Sequence, residues 1–395
     1  MLVYLGLTVL LLFLAYWEAN VLQRTVMPIV LATTILVIFI GFRFETGADW
    51  VEYETLLYMT APIFTNMPMY FNPNLVVEPG FVLILSIVNA IGLPFQAVLF
   101  ISSLSVVVIS VFLWRYSKYP VLVLLWYCGF ALLLGQMAAL RQVIAYAFVL
   151  MAFMAFDRGR VVLSIALSVL ASSVHVFSIV LIPIIYWRLP PPATRKILVL
   201  CAFGLATSIL GINIFALLVA PVSLLLGGIV ESKLEIYSGF ASFQISPFAL
   251  LLVIWHGGVL ALINRRTLVE WEEPVVRLAI YATIWSLVAH TFLAALPAIW
   301  NRIMLFSMPL EMLALFRCYG NVLREPTGRL IAVAGVWIVS AASIGYGLSQ
   351  ENALPYLPYR SIAQVWVTGD PGDGRLRYLV EQGRLNRTAQ EQRQP

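Results

Sequence analysis

Arg43, Asp49, Glu78, Arg141, His175 and Arg302 are the residues whose types could do chemistry where they stand. Each falls at an end or a break of an apolar segment, in a chain that is 62% hydrophobic and only 11% charged. Charge at a membrane edge costs little, whereas charge set just inside it under aromatic cover usually marks function. The densest such stretch is 41–53. It places Arg43, Glu45, Asp49 and Glu52 among Phe42, Phe44, Trp50 and Tyr53, directly after the nearly uncharged run 26–40. A carboxylate there could take a proton from a hydroxyl. The planar fork of an arginine suits phosphate oxygens, and Arg141 also stands near a helix N-terminus, whose dipole favours anions. Histidine can hydrogen-bond or move a proton near neutral pH.

Each of these residues also has a plainer reading. Arg43 and Asp49 could form a local ion pair. Arg141 could snorkel to the interface, although Gln136, Gln142 and Tyr146 keep it polar company. His175 could be a satisfied structural histidine, Arg302 an interfacial anchor beside Trp300, and Glu78 a cap on the helix that Pro79 begins. Glu45, Glu52 and Glu78 compete with Asp49 for the role of base. Glu311 lies inside an apolar helix toward the other membrane face, which suits structural pairing.

The elements that must position these residues are membrane helices. Long apolar runs recur from end to end of the 395 residues, which indicates an all-α polytopic integral membrane protein with about 10–12 transmembrane helices, some of them re-entrant or half-helices. The first run, 2–16, lacks a basic leader and a cleavage signal and reads as a retained helix. Residues 1–350 form one transmembrane domain, in which 43–92 is a long outer loop with a short interfacial helix. Residues 351–395 form a polar tail, loosely ordered from 370 onward. Residues 78–92 are apolar but too short to cross a ~30 Å core. The run 161–187 is basic at both ends, which favours a hairpin broken near Ser172–His175 over a single tilted span. The segment 214–245 is ambiguous, Ala298–Arg302 reads as an outer turn, and the loops rich in arginine lie inside.

Other classes have little support. The net charge of +5 sits in short loops, as the positive-inside bias predicts, with no run dense enough for nucleic acid. Cys128, Cys201 and Cys318 show neither paired nor metal-ligand spacing, and His256 and His290 fall in other helices, so neither a metal nor another cofactor is expected. No P-loop, GxSxG or HExxH is present.

The order of motifs is similar to that of a known family. Arg43…Gly47-Ala-Asp49…Tyr53 is followed by Glu78-Pro-Gly, then Leu140-Arg-Gln142 with Ala145, Ser173-Val-His175 with Ser178, Arg302, and Pro358-Tyr359. Over about residues 40–360 this resembles the EpsG family, Wzy-type exopolysaccharide polymerases of bacterial inner membranes. The resemblance implies a glycosyltransferase that joins polyprenyl-diphosphate-linked oligosaccharide repeat units on the periplasmic or outer face, without a nucleotide sugar. Its partners would be the lipid-linked substrate, membrane lipids, a flippase and a chain-length regulator. In that reading Arg43, Arg141 and Arg302 stabilise the diphosphate leaving group, with Gln142, Glu78 and Tyr53 also binding substrate. Asp49 is the first candidate base and His175 the second. A ligase, a polyprenyl-phosphate-sugar transferase, a transporter or flippase of lipid-linked glycan, and a membrane scaffold are the alternatives.

Overall fold

The computed structural model describes residues 1–21, 24–63, 77–188, 193–210, 247–266, 273–293 and 297–391. The ambiguous segment 214–245 and the Pro/Asn-rich part of the first loop lie outside them. Among the described residues the chain is helical, with no strand and one isolated antiparallel bridge, Arg43 to Ser361. The helices in chain order are α1 (Leu2–Asn20), α2 (Met27–Gly41), α3 (Trp50–Met59), α4 (Pro79–Ala90), α5 (Phe95–Ser103), α6 (Ser105–Tyr116), α7 (Pro120–Ala131), α8 (Leu140–Asp157), α9 (Val161–Val174), α10 (Ile182–Tyr186), α11 (Thr194–Ile209), α12 (Pro247–Arg266), α13 (Pro274–Phe292), α14 (Pro297–Tyr319), α15 (Pro326–Ser349), α16 (Ile362–Thr368) and α17 (Gly374–Glu391).

Seven described helical segments are long and apolar enough to cross a membrane, and α2, α4, α9 and the segment 176–186 are shorter apolar helices. Polytopic all-α architecture follows from the physics of the apolar runs, because backbone polar groups in hydrocarbon must be satisfied within the segment. Helix α4 is a short element, as its length requires. The hairpin is also present: α9 stops at Val174, His175 is extended at φ −152° and ψ 111°, and a 3-10 turn (Val176–Val180) leads into α10.

Two apolar clusters hold the fold. The larger runs through the bundle around α7, α8, α13, α14 and α15. The smaller joins Trp50, Tyr53 and Leu57 of α3 to Phe81, Leu85 and Val88 of α4 and to Leu140 and Ile144 of α8. Polar groups of α4 fix the end of α3: Asn89 Nδ2 donates to the Leu57 carbonyl at 2.6 Å, and Ser86 Oγ to that of Ala61 at 2.7 Å. Part of the long loop after α2 is therefore an ordered helix packed on the bundle.

Two expectations are corrected. Arg302 lies within α14, which begins at Pro297, and not in a turn. The described part of the tail is not loose, since α17 forms and docks over residues 45–54. Tyr378 hydrogen-bonds Glu52, Arg375 pairs with Glu54, the Arg375 N–H donates to Glu45 at 3.0 Å, and Arg377 donates to the Leu354 carbonyl at 3.1 Å. The chain before it zips onto residues 42–47: Phe44 N–H donates to the Arg360 carbonyl at 2.9 Å, Ile362 N–H to that of Phe42 at 2.8 Å, and Gly47 N–H to that of Pro355 at 2.9 Å. Gly47 has φ +123°, and a Cβ there would collide with the Met137 carbonyl, so both conformation and space call for glycine.

Candidate active site

The end of the bundle formed by the start of α8, the end of α9 and the start of α14 gathers six of the expected residues: Tyr53, Glu78, Arg141, Gln142, His175 and Arg302. Glu78 stands at the N-cap position of α4 but does not cap it. Its carboxylate instead reaches across to other elements. Arg141 Nη1 donates to Oε2 at 2.5 Å, while His175 Nδ1 lies 3.3 Å from Oε1 and the Val176 N–H donates to the same oxygen at 3.3 Å. Glu78 thus satisfies the first N–H after the break in the hairpin and holds the two halves of the site together.

On the other ring nitrogen, Arg302 Nη1 lies 3.0 Å from His175 Nε2. A guanidinium can only donate, so Nε2 accepts and the ring proton sits on Nδ1, directed at Glu78. The result is a continuous row, Arg141–Glu78–His175–Arg302, in which Glu78 and His175 are buried. The Arg302 carbonyl is held in turn by Gln142 Nε2 at 3.2 Å and by the hydroxyl of Tyr146. Gln142 and Tyr146 are one helical turn apart and bond each other at 2.6 Å. Tyr53 lies beneath Arg141, its ring 5.8 Å from the guanidinium carbon.

Asp49 occupies the N-cap position of α3, again without capping it. None of the described residues hydrogen-bonds or ion-pairs with its carboxylate. It lines a cavity of about 420 Å3 whose apolar wall includes Phe130, Leu133 and Met304, and whose polar rim includes Gln350, Tyr378 and Gln382. The carboxylate is open to water inside this cavity while protein surrounds it on most sides. That desolvation, reinforced by Glu52, raises its pKa to about 6, and Arg141 and Arg302 act in the opposite direction. Asp49 therefore lines the cavity and feels the charge of the two arginines, although the row itself does not line the cavity.

Arg43 is placed elsewhere. It is fully buried, with Nε donating to the Thr46 carbonyl at 3.0 Å, Nη1 to those of Ile40 at 2.9 Å and Gln136 at 3.3 Å, and Nη2 to that of Met137 at 3.3 Å. Gln136 and Met137 belong to a π-helical turn, Leu132–Ala138, that ends the α7 segment. A helix C-terminus carries carbonyls without intrahelical partners and the negative end of the dipole, and Arg43 answers both. Burial lowers its pKa to about 10, which leaves it charged at neutral pH. Neither an ion pair with Asp49 nor an exposed anion clamp is what this geometry provides.

The competing carboxylates, and Glu54 beside them, are engaged. Glu45 accepts from Arg375, Glu52 from Tyr378 and Glu54 from Arg375. Glu311 is buried, bonded to His256 Nδ1 at 2.7 Å and Trp255 Nε1 at 2.9 Å, the structural pairing its position suggests. Tyr146 was legible as the i+4 partner of Gln142. The cavity residues Tyr356, Tyr378 and Glu381 carried no sequence signal, because nothing in a polar tail announces what it will cover. Among the described residues no group of three or more His, Cys, Asp or Glu side chains could hold a metal ion.

Comparison with known proteins identifies the family of the chain. The pattern of the EpsG family matches residues 26–361, which spans both arms of the row, Asp49 and the docked segment through Ser361. No curated protein and no solved structure matches the chain. With most of its length matched, the chain belongs to the EpsG family, a family of Wzy-type polymerases.

Proposed function

We propose that the protein joins polyprenyl-diphosphate-linked oligosaccharide repeat units into a polysaccharide on the extracytoplasmic face of a bacterial inner membrane. Family membership supports a role in exopolysaccharide polymerisation in general. The distribution of charge supports the orientation: Arg24, Arg115, Lys118, Arg317, Arg324 and Arg329 cluster at the end opposite Asp49, as the positive-inside bias requires of a cytoplasmic face.

In the reaction, the hydroxyl of one repeat unit attacks the anomeric carbon of another. The glycosidic bond forms, the bond from that carbon to the diphosphate oxygen breaks, and the hydroxyl proton passes to Asp49. Negative charge develops on the leaving diphosphate, and Arg141 and Arg302 are the cations positioned to meet it. Glu78 and His175 act as positioning residues that hold these guanidinium groups at a fixed separation, with Gln142 and Tyr53 as supports. Arg43 braces the loop that carries Asp49. The amphipathic cavity beside Asp49 suits a ligand with both sugar and apolar faces.

The observation that carries this reading is the Asp49 carboxylate, unpaired among the described residues, at a cavity within electrostatic reach of two arginines. The test is extension of a synthetic lipid-diphosphate repeat unit by the purified, reconstituted protein. Wild type forms a ladder of products, and Asp49→Asn binds the lipid-linked unit but forms none. Polymer formation by Asp49→Asn would remove Asp49 from the role of base.

A further inference from the structure

A second built site lies at the opposite end of the bundle. There a cavity of about 400 Å3 is lined by Arg24, Lys118, Arg324 and Arg329, with Glu18 and Trp114 in its wall. A neighbouring hollow of about 510 Å3 shares Arg24, Lys118 and Arg324. The positive-inside bias accounts for basic residues on this face, but not for their convergence on one concavity.

Most of the nearby carboxylates are already committed, and Glu325, next to Arg324 in the chain, is exposed and does not line either hollow. Both oxygens of Glu18 accept from the Val121 N–H, at 2.9 and 3.1 Å, where they satisfy the start of α7. Asp157 binds Arg115 at 3.2 Å and Tyr116 at 2.5 Å, and Glu273 pairs with Arg317. Among the described residues, no carboxylate forms an ion pair with Arg24, Lys118 or Arg324. Arg24 lies over Trp114, 4.1 Å from the ring centre, with one donor on the Ser117 carbonyl at 3.2 Å, and among the described residues no other hydrogen-bond acceptor engages its fork. Arg329 is fixed by Asn20 Oδ1 at 2.7 Å and by the Leu323 carbonyl at 3.1 Å.

The surroundings of the cavity are apolar and outward-facing. Val26 and Met27, just past Arg24, are exposed, as are Leu330 and Ile331, just past Arg329. Cations converging at a membrane edge, beside an interfacial tryptophan and lipid-facing aliphatic chains, form the pattern of a basic pocket that takes a lipid head group. We propose that this cavity binds the phosphate group of a membrane lipid, with Lys118 and Arg324 as its principal cations and Arg24 as a preoriented fork. The shared chemistry is a phosphate anion, and the apolar flanks select the lipid-borne form over the free one.

The test uses the full chain in nanodiscs of phosphatidylcholine alone, of phosphatidylcholine with phosphatidylglycerol, and of phosphatidylcholine with polyprenyl monophosphate. A fourth arm adds inorganic pyrophosphate to the neutral discs. The readouts are the thermal unfolding midpoint and the lipids retained in native mass spectrometry. Wild type shows a raised midpoint and retained lipid in one or both anionic-lipid arms, and which arm responds identifies the head group. In the double variant Lys118→Gln/Arg324→Gln the response is lost, with apparent affinity lower by about tenfold or more. The charge-preserving Lys118→Arg keeps the response, and the double variant's own midpoint in neutral discs reports whether it folds. An equal response in wild type and double variant, or none in any arm, overturns the site. An equal effect of pyrophosphate overturns the lipid as its source.

Discussion

His175 links Glu78 to Arg302: its Nδ1 lies 3.3 Å from the carboxylate and its Nε2 lies 3.0 Å from the guanidinium. One ring thus fixes the spacing of two arginines carried on helices far apart in the chain. Substitution of His175 by Ala frees Arg302 from this restraint, and the expected result is a fall in kcat of about 10–100-fold with the fold retained. His175→Gln, which can keep both contacts, restores part of the rate. Single-turnover extension of a lipid-diphosphate repeat unit measures both.

Loss of Glu78 has a different signature. Glu78→Ala leaves Arg141 without its carboxylate and Val176 N–H without its acceptor. A destabilisation of about 2–4 kcal/mol is expected, together with loss of activity. Denaturation in detergent, compared with that of His175→Ala, distinguishes this stability defect from one confined to the rate.

The pKa of Asp49, raised to about 6, sets the pH profile. Only the ionised carboxylate can accept the hydroxyl proton, so activity rises with pH through about 6 and levels above it. The sign for stability is the reverse. A carboxyl whose folded-state pKa lies above its ordinary value binds its proton more tightly when folded, so its favourable contribution is present below about 4 and is lost as pH rises through about 6. Asp49→Asn should therefore lose activity at every pH, while its unfolding midpoint at pH 7 is no lower than that of wild type. A large drop in that midpoint would argue for a structural role instead.

Arg43 should behave as a structural arginine. Its four bonds run to main-chain carbonyls of the end of α2, of the loop and of the π-helical turn, and a lysine cannot reach them together. Arg43→Lys and Arg43→Ala are both expected to lower stability, the latter by about 3–5 kcal/mol. Arg302→Lys should lose activity with little change in stability. Unfolding curves and extension rates measured on the same preparations separate the two arginines.

Gly80 tests the approach of α4 to the hairpin. A Cβ there would stand 2.7 Å from the carbonyl carbon of Ser173, a backbone atom that cannot turn aside. Gly80→Ala should push α4 from α9, lengthen the contact of Glu78 with His175, and cost about 1–3 kcal/mol. Reduced activity with Arg141 and His175 both intact would show that the spacing of the helices matters to the site.

The apolar runs and their interruptions determined most of the helical plan. A backbone in hydrocarbon must satisfy itself locally, so helix identity, the short α4 and the break at His175 could all be read from hydropathy, length and flanking charge. The same local logic marked Asp49, Glu78, Arg141, His175 and Arg302, because ionisable groups are rare in such a chain. Which of them meet was a different matter. The row from Arg141 to Arg302 depends on how α4, α8, α9 and α14 pack, and no local pattern encodes that packing. Arg43 and Arg302 look equivalent as sequence, each an arginine beside aromatics near a helix end, yet one is buried on carbonyls and the other faces His175. The tail looked solvated because its residues are polar. Arg375 and Tyr378 find partners in Glu45, Glu52 and Glu54, contacts that exist once the bundle has brought its two ends together.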